Sequence, residues 1–193
     1  MKSLKLCTLL YLIPMSAMAA QECSQNMTKS APNARYEFNN NGTIKDRITG
    51  LTWMRCPLGK TWDSTEDTCL GDGQDMFWQA ALNDVQSINQ NPSHALHNFA
   101  GIKNWRMPNI KELVTLSEHS CFAPALNKKA FSNAFPYSTN QENYGAGDIR
   151  SYVWSNTSLL ETQEVFTFDV RNAEIIAYAP TAIAGSVLLV AED

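Results

Sequence analysis

The spacing of apolar residues changes twice along the chain. Arg35–Phe38, Thr43–Asp46 and Leu51–Arg55 are short mixed runs separated by Asn39-Asn40-Asn41-Gly42 and by Arg47–Gly50. Asn and Gly tolerate positive φ, so these separators are turns. The pattern predicts three short strands in an antiparallel meander, with Leu51 and Trp53 on one side. From residue 76 the period becomes helical. Trp78, Ala81, Leu82, Val85 and Ile88 share one face of a helix over Met76–Asn89, with Asp75 placed to cap it. The polar stretch Gln90–Phe99 reads as a loop carrying His94 and His97 as surface histidines. The last third returns to strand. Tyr152–Asn156, Glu164–Val170, Glu174–Ala179 and Ser186–Ala191 are rich in β-branched and aromatic residues. In Glu164–Val170 the alternation predicts one apolar face, with Arg171-Asn172-Ala173 as the following hairpin turn. Ser186–Ala191 is almost wholly apolar and is predicted to be a buried inner strand.

Between these regions lies Gly101–Leu116. Trp105-Arg106-Met107 reads as a short strand, because Met107 precedes Pro108 and is pushed into extended geometry. Asn109 and Glu112 have capping-box spacing, and Pro108 and Leu113 occupy the staple positions. Ile110, Leu113, Val114 and Ser117 then line one helical face. That helix is predicted to end near His119-Ser120, with Cys121 tying its end to another element. Phe122–Phe135 reads as an irregular, mostly apolar connector.

The start of the chain has a different character. Lys2 and Lys5 precede the apolar run Leu6–Met15, and Ala17-Met18-Ala19 supplies an A-x-A cleavage pattern. This predicts a signal peptide over residues 1–19. Lys2 and Lys5 leave with it, so the 15 basic residues fall to 13 against 19 acidic ones and the formal charge moves from −4 to −6. No basic run matches a phosphate backbone, so nucleic-acid binding is not expected. No later stretch has the ~20 apolar residues of a membrane helix. Cys7 also leaves, and Cys23, Cys56, Cys69 and Cys121 remain. An even count behind a signal peptide reads as disulfides. Cys56 and Cys69 close a short Gly/Asp/Thr-rich loop, which pairs them and leaves Cys23 with Cys121.

Candidate chemistry is sparse. No nucleophile elbow, phosphate loop or dinucleotide fingerprint occurs. Asp72-Gly73-Gln74-Asp75 lacks the spacing of a calcium loop. The cysteine spacing is not that of a zinc site. No metal or cofactor is expected. The stretch Tyr137–Arg150 is rich in Asn, Ser, Gly and Tyr, residues that give adaptable hydrogen bonds around an aromatic anchor. Tyr137, Asn140, Glu142, Asn143, Tyr144, Asp148 and Arg150 are therefore the candidate ligand contacts, with the Cys56–Cys69 loop as the alternative place for a site.

WRMPNIKEL, over Trp105, Arg106, Pro108, Asn109, Glu112 and Leu113, resembles the W-R-(L/M)-P-(N/T)-x-x-E-L signature of the Lcl C-terminal domain family. RYEFNNNGTIKDRITGLTWMRCPLGKTW resembles the opening of that family, while AFPY and YVWSN match it more loosely. The family is one of unknown function, named for a collagen-like adhesin. The resemblance implies an α+β fold, C-type-lectin-like, with two helices packed on a twisted antiparallel sheet and stapled here by disulfides. The family's adhesin binds sulfated polysaccharide through a basic surface. This chain is acidic and ends SVLLVAED where the family pattern is V-R-L-V-R, so that ligand is not expected here.

The expected organisation is a signal peptide (1–19), an N-terminal tether (20–34) and a single domain (35–193). The expected function is an exported, non-enzymatic binding module, adhesin-like, periplasmic or extracellular, with a glycan or an envelope or surface protein as partner. The alternatives are an enzyme of the formylglycine-generating type with reduced cysteines, or a structural part of an envelope assembly. Material recovered from the periplasm or medium should begin at Ala20 or Gln21 by intact-mass measurement. A mass that includes residues 1–19 would overturn the export reading.

Overall fold

The structure is a computed structural model, and it describes residues 21–135 and 151–192. In chain order the elements are β1 (Glu22–Cys23), β2 (Tyr36–Phe38), β3 (Thr43–Asp46), β4 (Leu51–Met54), β5 (Thr61–Asp63), β6 (Thr68–Leu70), α1 (Trp78–Gln90), α2 (Ile110–Thr115), β7 (Cys121–Phe122), β8 (Tyr152–Leu159), β9 (Glu164–Asp169), β10 (Ile175–Tyr178) and β11 (Val190–Glu192). The fold is α+β. The meander β2-β3-β4 forms as expected and takes β11 on its far edge, giving the order β11-β4-β3-β2. A second antiparallel sheet has the order β10-β9-β8.

The two sheets are joined by the C-terminal segment. Ser186 N–H donates to Tyr152 O at 2.9 Å, and Trp154 N–H donates to Ser186 O at 3.0 Å. One residue on, Leu58 N–H donates to Val187 O at 2.9 Å, and Met54 N–H to Leu189 O at 3.0 Å. Only Val190–Glu192 has regular pairing. The expected inner strand Ser186–Ala191 is therefore fully buried but splits its hydrogen bonds among several partners. Its side chains alternate. Val187, Leu189 and Ala191 face a core with Ala81, Val85 and Ile88 of α1 and with Trp105 and Trp154. Leu188 and Val190 face a second core with Trp53, Leu113, Phe131 and Phe168. Leu51 and Trp53 share that second side, as their spacing predicts.

Several expectations need correction. Asp75 does not cap α1; the helix starts at Trp78 with Phe77 at the N-cap and no side-chain cap. Met76 is instead held in a bridge to Gly185, which keeps the chain extended up to that point. The second helix ends at Thr115, well before His119. Ser117 bridges to Leu126 and Glu118 N–H donates to Ala125 O, so tertiary bonds pull the chain out of helical geometry. The Cys56–Cys69 loop contains the hairpin β5-β6. Strand β9 is covered on both faces, since Thr167 and Asp169 are as buried as Phe168. Thr167 Oγ1 donates to Ile176 O at 2.9 Å, and Asp169 accepts from the Arg171 amide at 2.8 Å.

The disulfides are Cys23–Cys121 and Cys56–Cys69, as the sequence predicts. The first staples β1 to β7. The N-terminal segment is fastened at points: Gln21 donates to Pro124 O and Leu126 O, and Ala31 is 1% exposed, while residues 24–29 between them are exposed. The second closes a 13-residue separation, which constrains the unfolded chain by about 3 kcal/mol in the loop-entropy account.

Buried charges pin the irregular regions. Arg35 forms a two-pronged pair with Asp46, which is 0% exposed, and also donates to Thr115 O at 2.6 Å. Burial works against ionising Asp46, but the Arg35 fork, the Ile48 amide and the Thr49 hydroxyl outweigh it and hold its carboxyl below the usual range. A lowered folded pKa means that this stabilisation is complete above the unfolded pKa near ~4 and is lost as pH falls through the folded value. Melting temperature followed by circular dichroism should therefore decline below about pH 4. Asp46→Asn should cost about 3–5 kcal/mol at neutral pH by stranding Arg35, and should flatten that decline. An unchanged melting temperature would remove the pair from the stabilising set.

Candidate functional site

The signature corner is built as its spacing predicts. Asn109 Oδ1 accepts from Glu112 N–H at 2.9 Å, and Glu112 Oε2 accepts from Asn109 N–H at 2.7 Å. Arg106 donates to both carboxylate oxygens of Glu112 at 2.8 Å and to Glu192 Oε1 at 2.7 Å. Burial opposes the charge on Glu112, but Arg106 and the Asn109 amide hold its carboxyl low; the same contacts with Glu112 raise Arg106. Arg106 and Val190 also exchange two backbone hydrogen bonds. Trp105 is 1% exposed, and Asn89 of α1 bonds both its N–H and its C=O, at 3.0 and 2.7 Å. Pro108 and Leu113 are buried. These residues form one constellation, and it clamps the corner to α1, α2 and β11.

The candidate contacts Tyr137, Asn140, Glu142, Asn143, Tyr144, Asp148 and Arg150 lie outside the described residues. Among the described residues, no group of three or more His, Cys, Asp or Glu is arranged to hold a metal, and no helix is long and apolar enough to cross a membrane.

Three adjoining recesses form a groove beside α1. The first is a narrow slot of about 60 Å³, lined by Met54, Leu58, Trp62, Leu96, Phe99 and the Cys56 end of the disulfide. The second, about 300 Å³, is lined by Thr61, Gln74, Asp84, His94 and Leu96. It shares Leu58, Lys60, Thr61 and Leu96 with the slot. The third, about 390 Å³, runs along Met76, Ala80, Asn83, Asp84 and Ser87, and shares Gln74 and Asp84 with the second.

Local contacts explain the groove. Arg55 is 1% exposed and lies 3.5 Å from the Trp62 ring centroid, held there by Asp67 and by Ala130 O. Gly42 has φ +85°, and a Cβ there would come within 2.9 Å of Trp62 and 3.0 Å of Phe99, so only glycine lets the hairpin close down. Gly59, at φ +88°, would bring a Cβ within 2.4 Å of the Gln74 nitrogen. His94 and His97 are half-buried fasteners rather than free surface groups. Leu96 N–H donates to His94 Nδ1 at 3.1 Å, which leaves His94 Nε2 facing Asp84 at 3.4 Å. His97 Nδ1 bonds Ile88 O at 2.9 Å.

A separate recess of about 400 Å³ lies beside Cys121, with Lys29, Lys128, Lys129, Asn33, Asn127 and Glu118 in its wall. Its Asn127, Asn33, Glu118 and Lys129 are already engaged by the protein. Asn127 Nδ2 donates to Ala31 O and Asn33 Oδ1, both at 2.8 Å, and Lys129 Nζ sits 4.7 Å over Phe38. Glu118 is 2% exposed and accepts from the amides of Ser30, Ala31 and Ser120 and from the Ser120 hydroxyl. Burial raises its pKa, but those donors more than offset the penalty and hold it low. This recess joins the N-terminal segment to the domain.

The Cys56–Cys69 loop, the alternative place for a site, lines the slot, but the rest of the groove comes from stretches that local spacing does not connect: Gly42, Met54, residues 74–76, α1 and the histidine loop. Besides the disulfide loop, the aromatic residues Trp62 and Phe99, set inside otherwise polar stretches, were a local signal.

The corner should behave as structure. Trp105→Ala should cost about 3–5 kcal/mol through the cavity it leaves. Asn109→Ala should cost about 1 kcal/mol through loss of the cap. Denaturant unfolding would measure both. A Trp105→Ala protein of unchanged stability would contradict the observed packing.

No curated protein matches the chain. The model of the Lcl C-terminal domain matches residues 42–191, a span that contains the corner, the groove and all three strands of the second sheet. On that match, the chain belongs to the Lcl C-terminal domain family.

Proposed function

We propose that the protein is an exported recognition module, adhesin-like and non-enzymatic, built on a C-type-lectin-like scaffold. Its partner is a neutral glycan or an envelope or surface protein. The observation that carries this reading is the open groove beside α1, where carboxamides, hydroxyls and a His–Asp pair surround an apolar slot. Binding sites of this type combine apolar walls with a few convergent polar groups. The cysteines argue the same way. Cys23, Cys56, Cys69 and Cys121 are all in disulfides, and formylglycine-type chemistry needs thiolates. Disulfides also persist in the oxidising setting that export provides.

The charge of the groove favours an uncharged partner. Lys60 donates to Asn133 O at 2.7 Å, and His94 faces Asp84. Neither is set out as a landing site for a polyanion, whose binding would weaken steeply with salt.

Incubating the exported protein with a panel of neutral and sulfated glycans and with envelope extract should give saturable, salt-insensitive binding to a neutral glycan or a protein. Thiol titration of the same material should find no free cysteine. Binding confined to sulfated chains and lost with salt, or a reactive thiol pair, would overturn this reading.

A further inference from the structure

We infer that the groove takes a linear glycan bearing acetamido groups, with the acetyl methyl of one sugar seated in the Trp62–Phe99 slot. This deepens the recognition reading above and rests on it. The size of the slot sets the kind of group it admits. About 60 Å³ is several times the ~10–15 Å³ of accessible space that one water needs. It is also far below the ~300–1,000 Å³ of a pocket that encloses a whole ligand. The slot therefore accepts a substituent and leaves the sugar ring outside. Its walls favour an apolar substituent, because Met54, Leu58, Trp62, Leu96 and Phe99 outweigh the polar Lys60 and Thr61 in the lining. A polar group pushed into such walls would lose its water without replacement.

The neighbouring recesses fit the rest of such a ligand. The slot opens beside Thr61, Gln74 and His94, within reach of an amide or a ring hydroxyl. The groove then continues past Gln74 and Asp84 to Asn83 and Ser87. The carboxamides and hydroxyls can donate and accept, and the Asp84 carboxylate can accept, which together suits sugar hydroxyls. The recesses share residues end to end, which suits an unbranched chain of several units. Two glycines keep the walls in place. Gly42 lets Trp62 and Phe99 approach, and Gly59 lets Gln74 lie against the hairpin.

Calorimetric titration of the exported protein with the β-linked N-acetylglucosamine tetramer, its de-N-acetylated counterpart and cellotetraose tests this. The acetylated tetramer should bind at least about tenfold more tightly than either other, the scale on which apolar pockets discriminate missing carbon groups. The de-N-acetylated tetramer is cationic and the protein acidic, so simple charge attraction would give the opposite order. Leu96→Phe, which fills the slot, should abolish the preference for the acetylated tetramer. Asn83→Ala with Ser87→Ala, both in the recess that shares no residue with the slot, should weaken all binding while keeping the preference, and serves if Leu96→Phe fails to fold. A peptidoglycan tetrasaccharide run in parallel separates a bacterial source from a chitin-type one, and binding of either supports the inference. Equal affinities for the three tetramers, no binding of the acetylated tetramer, or full affinity in folded Leu96→Phe would overturn it. If the panel experiment still yields another neutral ligand, the recognition reading stands and the slot assignment alone falls.

Discussion

The rest of the fold depends on the need to satisfy a buried backbone at the C-terminus. Gly185–Ala191 lies between the two helices with almost no access to water. Its N–H and C=O groups must therefore find protein partners, since a buried peptide group left unpaired costs about as much as a lost hydrogen bond. It finds them in succession at Met76, Tyr152, Trp154, Leu58, Met54 and Arg106. These partners come from four separate parts of the chain. A single extended segment thereby sets the entry to α1, the start of β8, the end of β4 and the signature corner. Its alternating side chains then supply the centre of both cores.

Around that segment much of the surface is irregular, and buried ionic groups hold it in shape. Asp46 takes a guanidinium, an amide and a hydroxyl; Glu118 takes three amides and a hydroxyl; Arg55 bonds two carbonyls and a carboxylate while lying on Trp62. A buried charge is tolerated when its hydrogen-bonding capacity is filled. Asp169 shows the opposite balance. Burial dominates there and raises its pKa despite the Arg171 amide and the Ser151 hydrogen bond. Such networks hold loops to specific partners, which short strands alone could not do.

The corner and the groove divide the labour. Arg106, Glu112 and Glu192 lock the corner to the last strand and leave no obvious opening for a ligand. The groove is on the other side of α1's anchorage, between a disulfide hairpin and a loop fastened by two histidines. The groove is lined partly by regular elements, α1 and β5, and partly by loop residues such as Gln74, His94, Leu96 and Phe99, which the elements hold in place.

Some of this was legible in the sequence. The meander from Tyr36 to Met54, the face of α1, the Asn109–Glu112 capping box and the Cys56–Cys69 pairing follow from bonds between residues close in sequence, so local spacing encodes them. The Lcl signature was legible for the same reason, since it is one continuous run, although the expected strand at Trp105–Met107 is reduced to a single bridge from Arg106 to Val190 before the turn and α2. Other features depend on partners remote in the chain. Asp75 had the right residue type for a cap, but the bridge from Met76 to Gly185 decided where α1 begins. The second helix had apolar spacing up to Ser117, yet the bonds of Ser117 and Glu118 to Leu126 and Ala125 ended it early. The alternation in β9 predicted one apolar face, and tertiary packing covered Thr167 and Asp169 of the other face as well. The groove is the extreme case, because Trp62, Gln74, Asp84 and Leu96 meet only after the hairpin, α1 and the histidine loop have packed. Sequence determined the elements whose hydrogen bonds are short-range, while tertiary structure decided the helix limits, the burial of polar faces and the site, whose contacts form only between distant segments.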